Sequence, residues 1–531
     1  MPNGRGRGFT PRLCPRFRMN ALLSTFRARL ALFAIAPALW LACSSPEESG
    51  GEGVDAGSEV PCRPGEVLVD DACVPARPVE RDAGETDTVT PTEDSGEAAD
   101  VAEEETDTEA PLDESFTGRF PIDERMVAIC EDEAAATTLT GIVHIPAGTL
   151  PLPGVTVYVP RDTPGRIRNG ASCEACADAL SGQPLVWTET EIDGTFVLRN
   201  VPHGENVPLV IEVGKWRRMI TVPTVERCAA TAVDAELTRL PRSRSEGHLP
   251  QFAVTTGEYD SLECLLRKIG IDEEEFTTNA TDGRVHLFAG RGGTNRFVPS
   301  LNGGASFPPA TGWWGEVFNL LAYDVILHSC VGSESRSERT VAATEAMRNY
   351  TSAGGRVFLS HYHYDWLAYG PEDFRAVADW GQQFSAANDN ELGTIDTTFF
   401  KGAQLNDWMT HIGAAVDRQF PIRDVRTSMG SFDPTLATSW VTVAPGCAPL
   451  FPCEPGREFP QYLTFNTPVR AAPENQCGRV VFSDIHVASG DTSSTSTAFP
   501  QGCTTTGFSP QEQAITFMLF DLSRCIVPDK I

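Results

Sequence analysis

The stretch from residue 44 to residue 115 has no lysine and almost no aromatic side chain, while Asp and Glu number 23 against three Arg. A segment so poor in apolar bulk cannot offset the entropy of ordering its backbone. Residues 44–118 are therefore expected to be an acidic, self-repelling linker. One small knuckle interrupts it, where Cys62 and Cys73 flank "RPGEVLVDDA". Basic clusters are missing as well. The formal net charge of −30 divides into +7 over residues 1–43, −20 over 44–115 and −17 over the remainder, which argues against a nucleic-acid partner. The longest apolar run, Leu30 to Cys43, is too short for a comfortable membrane span. Cys173-x-x-Cys176 has no second C-x-x-C to complete a four-ligand zinc site, so structural disulfides are the better reading. "GRGGTN", Gly290 to Asn295, lacks the Gly-Lys-Ser/Thr ending of a phosphate-binding loop and reads as a turn. There is no internal repeat.

The N-terminus explains its own charge. Arg16, Arg18, Arg27 and Arg29 precede "LALFAIAPALWLAC", which ends in Leu41-Ala42-Cys43. This resembles a bacterial lipoprotein signal peptide spanning 1–43, although Trp40 stands where that pattern prefers Leu. The resemblance implies lipidation of Cys43, with Met19 an alternative start. Ser44 resembles an outer-membrane address, so the expected location is the cell envelope, anchored by lipid to the outer membrane and either periplasmic or surface-exposed. Export would place the cysteines in an oxidising compartment. Of the 15, Cys14 lies in the cleaved part and Cys43 is the anchor. Cys130, Cys173, Cys176 and Cys228 form one set beyond the knuckle. Cys264, Cys330, Cys447, Cys453, Cys477, Cys503 and Cys525 follow. The odd total leaves at least one thiol unpaired within the chain, and pairings that cross domains stay open.

The remainder reads as two domains. Over 119–242, Val155, Val157 and Val159 alternate with Thr156 and Tyr158 in the period-two pattern of a half-buried strand. Asp193-Gly194, between two such runs, signals a type I′ hairpin. Several short strands punctuated by turns point to a β-sandwich. The order "PLPGV-x-V…DG-x-F-x-L…VP-x-G" resembles the carboxypeptidase-regulatory-like, transthyretin-type domain, which implies a non-catalytic accessory module. Within it, 165–182 reads as an inserted loop. Around Lys215, Trp216, Arg217 and Arg218 the tryptophan is expected to pack and the charges to form a solvated strand end. From 248 the rhythm becomes strand–helix–strand with near-continuous apolar strands, the signature of a parallel sheet covered on both faces. The predicted fold class is thus a β-sandwich followed by an α/β flavodoxin-like domain over 248–531.

"YDVILHSC", "YTSAGGRVFLSHYHY" and "GRVVFSDIHV" make this second part resemble the class I glutamine-amidotransferase-like superfamily, most closely its ThuA-like branch. The resemblance implies a flavodoxin-like strand order with an irregular insert around 385–450. In open parallel sheets, ligands bind beyond the carboxyl ends of the strands. This chain is expected to place His328 and Cys330, then His361, His363 and Asp365, then Asp484 and His486 at those ends. Amidotransferases carry a nucleophilic cysteine on the tight turn after the fourth strand. Here that turn reads Leu359-Ser360-His361-Tyr362-His363, without cysteine or flanking glycines. His361 takes the nucleophile's place, as it does in ThuA-like proteins, so thiol-dependent amidotransfer is unexpected. Cys330 is a weak nucleophile candidate, because a reactive thiol needs an electropositive setting.

His361-x-His363-x-Asp365 also resembles the metallo-β-lactamase signature, but Trp366 replaces its next ligand. The nearest downstream substitute, His411-Ile412-Gly413, sits in a helical pattern. Two kinds of function remain open. One is an envelope-anchored α/β domain that binds a small polar ligand, such as a carbohydrate, without catalysis. The candidate contacts are His328, Cys330, Trp313 and Trp314, the last two weighed against a role in the core. The other is a metal-dependent hydrolase or sugar-modifying enzyme with His361, Asp484 and His486 as catalytic residues. Its candidate ligands, to zinc, are His361, His363 and Asp365. If the strand continues through 365, these three share a face; if the chain turns sharply at Ser360, they do not. Against both stands a purely structural role for imidazoles that satisfy buried backbone groups.

Overall fold

Five short apolar segments of the C-terminal half become strands β1 (Phe252–Thr255), β2 (Val285–Phe288), β3 (Val325–His328), β4 (Arg356–Ser360) and β5 (Gly478–Ser483). In the computed structural model they run parallel in the order β2-β1-β3-β4-β5. The structure describes residues 66–69, 72–75, 120–131, 135–173, 180–381, 390–445, 456–487, 489–526 and 529. Successive strand side chains feed two different cores, as the pleat requires. Val254, Leu327, Phe358 and Val481 pack on one face. Ala253, Ile326, Val357, Leu359, Val480 and Phe482 pack on the other. Burial on both faces is what made these segments read as unbroken apolar runs.

Helices cover the sheet where the sequence supplies both periodicity and stops. In α1 (Leu262–Ile269), Leu262, Leu265, Leu266 and Ile269 are buried, and Gly270 at φ 110° ends the helix in the left-handed region. In α2 (Val341–Ser352), the Thr340 side chain caps the N-terminus by accepting from the Ala343 amide. In α3 (Pro510–Leu522), Ser509 and Glu512 form a reciprocal capping box with Pro510 at the first position. No helix among the described residues is long and apolar enough to cross a membrane.

The segment expected to be an irregular insert around 385–450 is largely regular over its described residues, 390–445. Phe459–Thr467 pairs antiparallel with β5, and Thr438–Val443, Asn390–Ile395 and Gln419–Arg423 extend the sheet beyond it. Phe400–His411 is helical. The Gln419–Arg423 strand alternates buried Phe420 and Ile422 with exposed neighbours, yet carries Pro421. Proline argues against a central strand, but this one is the outermost of its sheet, where proline is tolerated.

Among the described residues from 120 to 242, seven strands fall into two sheets. Thr138–Ile142 lies between Thr195–Arg199 and Ala230–Ala232. The other sheet has the order Pro184–Glu189, Thr156–Pro160, Gly204–Val213, Trp216–Val225. The Asp193-Gly194 turn does not close a hairpin, because its flanking strands belong to different sheets. Gly194 takes φ 75° and its amide donates to the Glu191 carbonyl, while Asp193 has no positive φ, so the turn is not type I′.

Leu139, Phe196, Val157, Val159, Leu209 and Ile211 share one continuous core with Phe252, Val254 and Leu265 of the α/β half. The expected boundary between 242 and 248 is crossed by covalent, apolar and ionic ties. Cys173 is bonded to Cys477 across 304 residues. Trp216 packs on Phe252 and Phe520, with ring centroids 6.0 and 5.5 Å apart. The charges beside it are not a solvated strand end. Lys215 is buried, its Nζ 2.6 Å from Asp324 and donating to the carbonyls of Arg168 and Gly170. Arg218 is also buried and donates to the carbonyls of Glu236 and Arg239. Two further disulfides are Cys130–Cys228 and Cys264–Cys503, and Cys525 is also bonded. Cys14, Cys43, Cys62, Cys176, Cys447 and Cys453 lie outside the described residues, so the Cys62–Cys73 knuckle is described only as an antiparallel pair, Glu66–Val69 with Ala72–Pro75.

Because both members of the Lys215–Asp324 pair are nearly inaccessible, removing one leaves an uncompensated charge. Lys215→Met should lower the free energy of unfolding by about 3 kcal/mol or more. Lys215→Met with Asp324→Asn should recover part of that loss. Urea denaturation of the three chains checks this; equal midpoints would contradict it.

Candidate metal centre

Sheet order sets the neighbours at the carboxyl edge. β1, β3, β4 and β5 lie side by side, and the strand order reverses between β1 and β3, the switch point where open α/β sheets bind ligands. Each strand delivers a polar side chain just past its end: Asp260 after β1, Cys330 after β3, His361 after β4, and Asp484 and His486 after β5.

β4 stops at Ser360, and His361 takes φ 38°, an uncommon region for a residue with a Cβ. A single turn of 3-10 helix, His361–Tyr364, follows and runs into the short helix Asp365–Ala368. The strand therefore does not extend through 365, and the three residues of the H-x-H-x-D pattern part company.

His363 and Asp365 belong to a structural cluster. His363 donates from Nε2 to the Ser329 carbonyl at 2.9 Å, and its Nδ1 faces Trp366 Nε1 at 3.0 Å and Arg339 Nη2 at 3.1 Å. Both ring nitrogens are occupied, which leaves no lone pair for a metal. Asp365 accepts from Arg339 Nε at 3.2 Å and from the Ser335 amide at 3.1 Å. The Arg339 guanidinium lies 4.6 Å from the Trp314 ring and 5.0 Å from that of Trp366. His328 bonds Thr255 Oγ1 through Nδ1 and stacks on His363 at 4.9 Å. Burial and the Arg339 charge hold both imidazoles well below their usual pKa, hence neutral. Trp313 stacks on Phe288 at 4.1 Å, and both Trp313 and Trp314 are buried in the core, so neither presents a face to a sugar.

His361 turns the other way. Its Nδ1 is 3.3 Å from Cys330 Sγ, and its ring stands edge-on to His486 with centroids 5.0 Å apart. Cys330 is a free, fully buried thiol. Burial and the Asp260 charge push that thiol well above its usual pKa, and backbone hydrogen bonds from Tyr362 and Gly332 offset only part of the rise. His486 Nδ1 is 3.0 Å from Asp260 Oδ1. Asp260 also accepts from the Val487 amide at 2.8 Å, from the Cys330 amide at 3.4 Å and from Ser360 Oγ. Burial would raise the Asp260 carboxyl, but His486 and these hydrogen bonds outweigh it and hold the group below the usual carboxylate range. Asp484 accepts from the Ser428 amide at 2.7 Å through one oxygen; its other oxygen is buried without a partner, and burial pushes its pKa up to about 6.

One donor atom from each of Cys330, His361 and His486 lies within 4.8 Å of the other two. His361 Nε2 and His486 Nε2 are buried with no hydrogen-bond partner. One sulfur and two imidazole nitrogens suit zinc or another borderline-soft transition ion. The carboxylate behind His486 is the usual outer partner of a metal-bound imidazole: it fixes the proton on Nδ1 and leaves Nε2 free to ligate. Of the expected residues, then, the structure brings His361, His486 and Cys330 together, sets Asp484 beside them, and separates His363, Asp365, His328, Trp313 and Trp314. Asp260 is a functional residue that the sequence does not single out, because it lies in the loop after β1 rather than at a strand end. Its only signal is an acid just before Ser261, the residue at the N-cap position of α1.

The structural cluster gives a direct check. Arg339 and Asp365 are both fully inaccessible, so Arg339→Met should cost about 3 kcal/mol or more in unfolding free energy while leaving zinc uptake at native stoichiometry. Selective loss of zinc with unchanged stability would contradict the division into two clusters.

No family model matches the chain, and no curated protein matches it. Among solved structures it is similar to a ThuA-like protein from Bacteroides uniformis, at 10% identity and a TM-score of 0.27, covering 51% of this chain and 90% of that one. A ThuA-like protein from Parabacteroides merdae gives 11% identity and a TM-score of 0.29, covering 53% and 91%. A GH42 β-galactosidase from G. stearothermophilus gives 8% identity and 0.24, covering 53% and 32%. All three TM-scores lie below 0.5, so the likenesses carry no weight for substrate or mechanism.

Proposed function

We propose that the chain is an exported protein, anchored in the outer membrane through a lipid on Cys43, whose ThuA-like α/β domain is a metal-dependent hydrolase acting on a small polar substrate. The acidic stretch 44–118 is the tether in this reading. The two upstream sheets act as a transthyretin-type β-sandwich that buttresses the α/β domain. The observation that carries the enzymatic part is the mutual proximity of Cys330, His361 and His486 donors, together with a buried Nε2 without a partner on each imidazole.

Cys330, His361 and His486 would hold the ion. Three protein ligands leave a position for water or substrate, and zinc so bound supplies an activated water and polarises a carbonyl or phosphoryl oxygen. The chain's own residues do the rest. Asp260 holds His486 in the ligating tautomer and, through Ser360 and the Cys330 amide, locks the strand ends that carry the other two donors. The amides of Tyr362 and Gly332 offset part of the burial and Asp260 charge that keep the Cys330 thiol protonated, so an ion bound here would have to displace that proton. Asp484, held through one oxygen, keeps the other for a hydrogen bond to ligand. The turn that carries a thiol nucleophile in amidotransferases carries an imidazole here, which fits metal-assisted rather than covalent chemistry. A second reading, a ligand-binding domain without turnover, is favoured by the near-complete burial of His361, His486 and Cys330.

The full chain in detergent, purified without chelator, should contain about one zinc per molecule. His361→Ala should lose it, and His486→Ala should lose it with a lower melting temperature as well, because buried Asp260 is then short of a partner. A wild-type chain that neither contains zinc nor takes it up on titration would overturn the proposal. Zinc bound without hydrolysis of any ester, amide or glycoside in a broad panel would favour the second reading.

A further inference from the structure

The segment Arg423–Ser428 is fastened to the candidate centre at both ends. The Arg423 amide donates to Gln511 Oε1 at 2.8 Å, and Gln511 Nε2 donates to the carbonyls of Arg423 and His486 at 3.1 and 3.0 Å. At the other end, the Ser428 amide holds Asp484. Between them, Gln461 Nε2 donates to the Arg426 carbonyl at 2.9 Å. The backbone on both sides of Arg426 is thus fixed to residues of the site.

The Arg426 side chain is half-buried, and among the described residues its guanidinium makes one hydrogen bond, from Nη1 to the Val425 carbonyl at 3.0 Å, and no ion pair. The Ser428 amide on Asp484 and the Gln511 bridge to the His486 carbonyl set this segment, and the Arg426 charge with it, at the same edge of the sheet. The nearby carboxylates do not neutralise it. Asp260 is fully engaged by His486, Ser360 and two amides, and Asp484, although one of its oxygens is open, forms no ion pair with Arg426 among the described residues. In a chain of net charge −30, a half-buried arginine without a carboxylate partner is conspicuous. A guanidinium presents a planar fork of donors suited to two oxygens of one anionic group.

We propose that Arg426 binds an oxyanion of the ligand, a carboxylate or a phosphate, beside the Cys330/His361/His486 centre, so that the substrate of this domain is a small anion. The inference rests on the metal reading for the reacting end of the substrate and on the Arg426 geometry for the anionic end. In this arrangement the fixed loop sets the distance between the anchored group and the centre, and neutral analogues bind poorly because Arg426 is then left without a counter-charge.

The test titrates inorganic phosphate and, separately, succinate into the zinc-loaded full chain by calorimetry, with wild type, Arg426→Gln and Arg426→Lys. One of the two anions should bind saturably, and which one does distinguishes the sources of the oxyanion. Its affinity should fall at least tenfold in Arg426→Gln and partly return in Arg426→Lys, with zinc content and melting temperature unchanged in both. Equal affinity in wild type and Arg426→Gln, or no saturable binding of either anion by zinc-loaded wild type, overturns the proposal. A chain that binds the anion through Arg426 but takes up no zinc overturns the metal reading alone and leaves the anion site standing.

Discussion

One buried carboxylate holds the carboxyl edge of the sheet together. Asp260 is fully inaccessible, and a charge in that position is costly unless every lone pair is used. Here the donors come from three different neighbours: the Cys330 amide after β3, the Ser360 hydroxyl at the end of β4, and the His486 ring and Val487 amide after β5. Asp260 itself follows β1. Four adjacent strands thus end on one anion, and the side chains they deliver are held in register by its hydrogen bonds. The candidate centre is a consequence of that constraint. With Asp260 satisfied on the inside, His486 Nε2 and His361 Nε2 are left as buried nitrogens without a protein partner.

The turn after β4 decides which polar residues face this anion. A left-handed His361 followed by 3-10 geometry sends alternate side chains in different directions. His361 points to Cys330 and His486, whereas His363 and Asp365 close around Arg339 between two tryptophans. The two clusters serve opposite ends. In one, every polar atom of His363 and Asp365 has a partner, which suits a site that stabilises. In the other, potential ligand atoms remain open, which suits a site that binds.

Much of the scaffold was legible. Runs such as "RVFLS" and "GRVVFS", bounded by glycine and followed by helical periodicity, identify parallel strands because both faces of such a sheet are dry. The convergence of His361, His486 and Cys330 follows once strands are placed side by side. What was not legible depended on backbone geometry. Nothing in "LSHYHYDW" marks the residue at which extended conformation gives way to a turn, and moving that point reassigns every side chain beyond it. Asp260 was hidden because its partners lie more than 65 residues away, on three other segments. Arg426 was hidden because its strand-rich surroundings, interrupted by Pro421, did not read as part of the sheet. The charges beside Trp216 looked solvated because sequence does not reveal that Asp324 waits across the interface.

The central claim is that sulfur and two imidazoles meet at one ion. X-ray absorption at the zinc edge of the metal-loaded full chain tests it most directly. The account requires one sulfur at about 2.3 Å and two imidazole nitrogens at about 2.0 Å, with the sulfur contribution gone in Cys330→Ser. A first shell of nitrogen and oxygen only, or a sulfur contribution that survives Cys330→Ser, would contradict it.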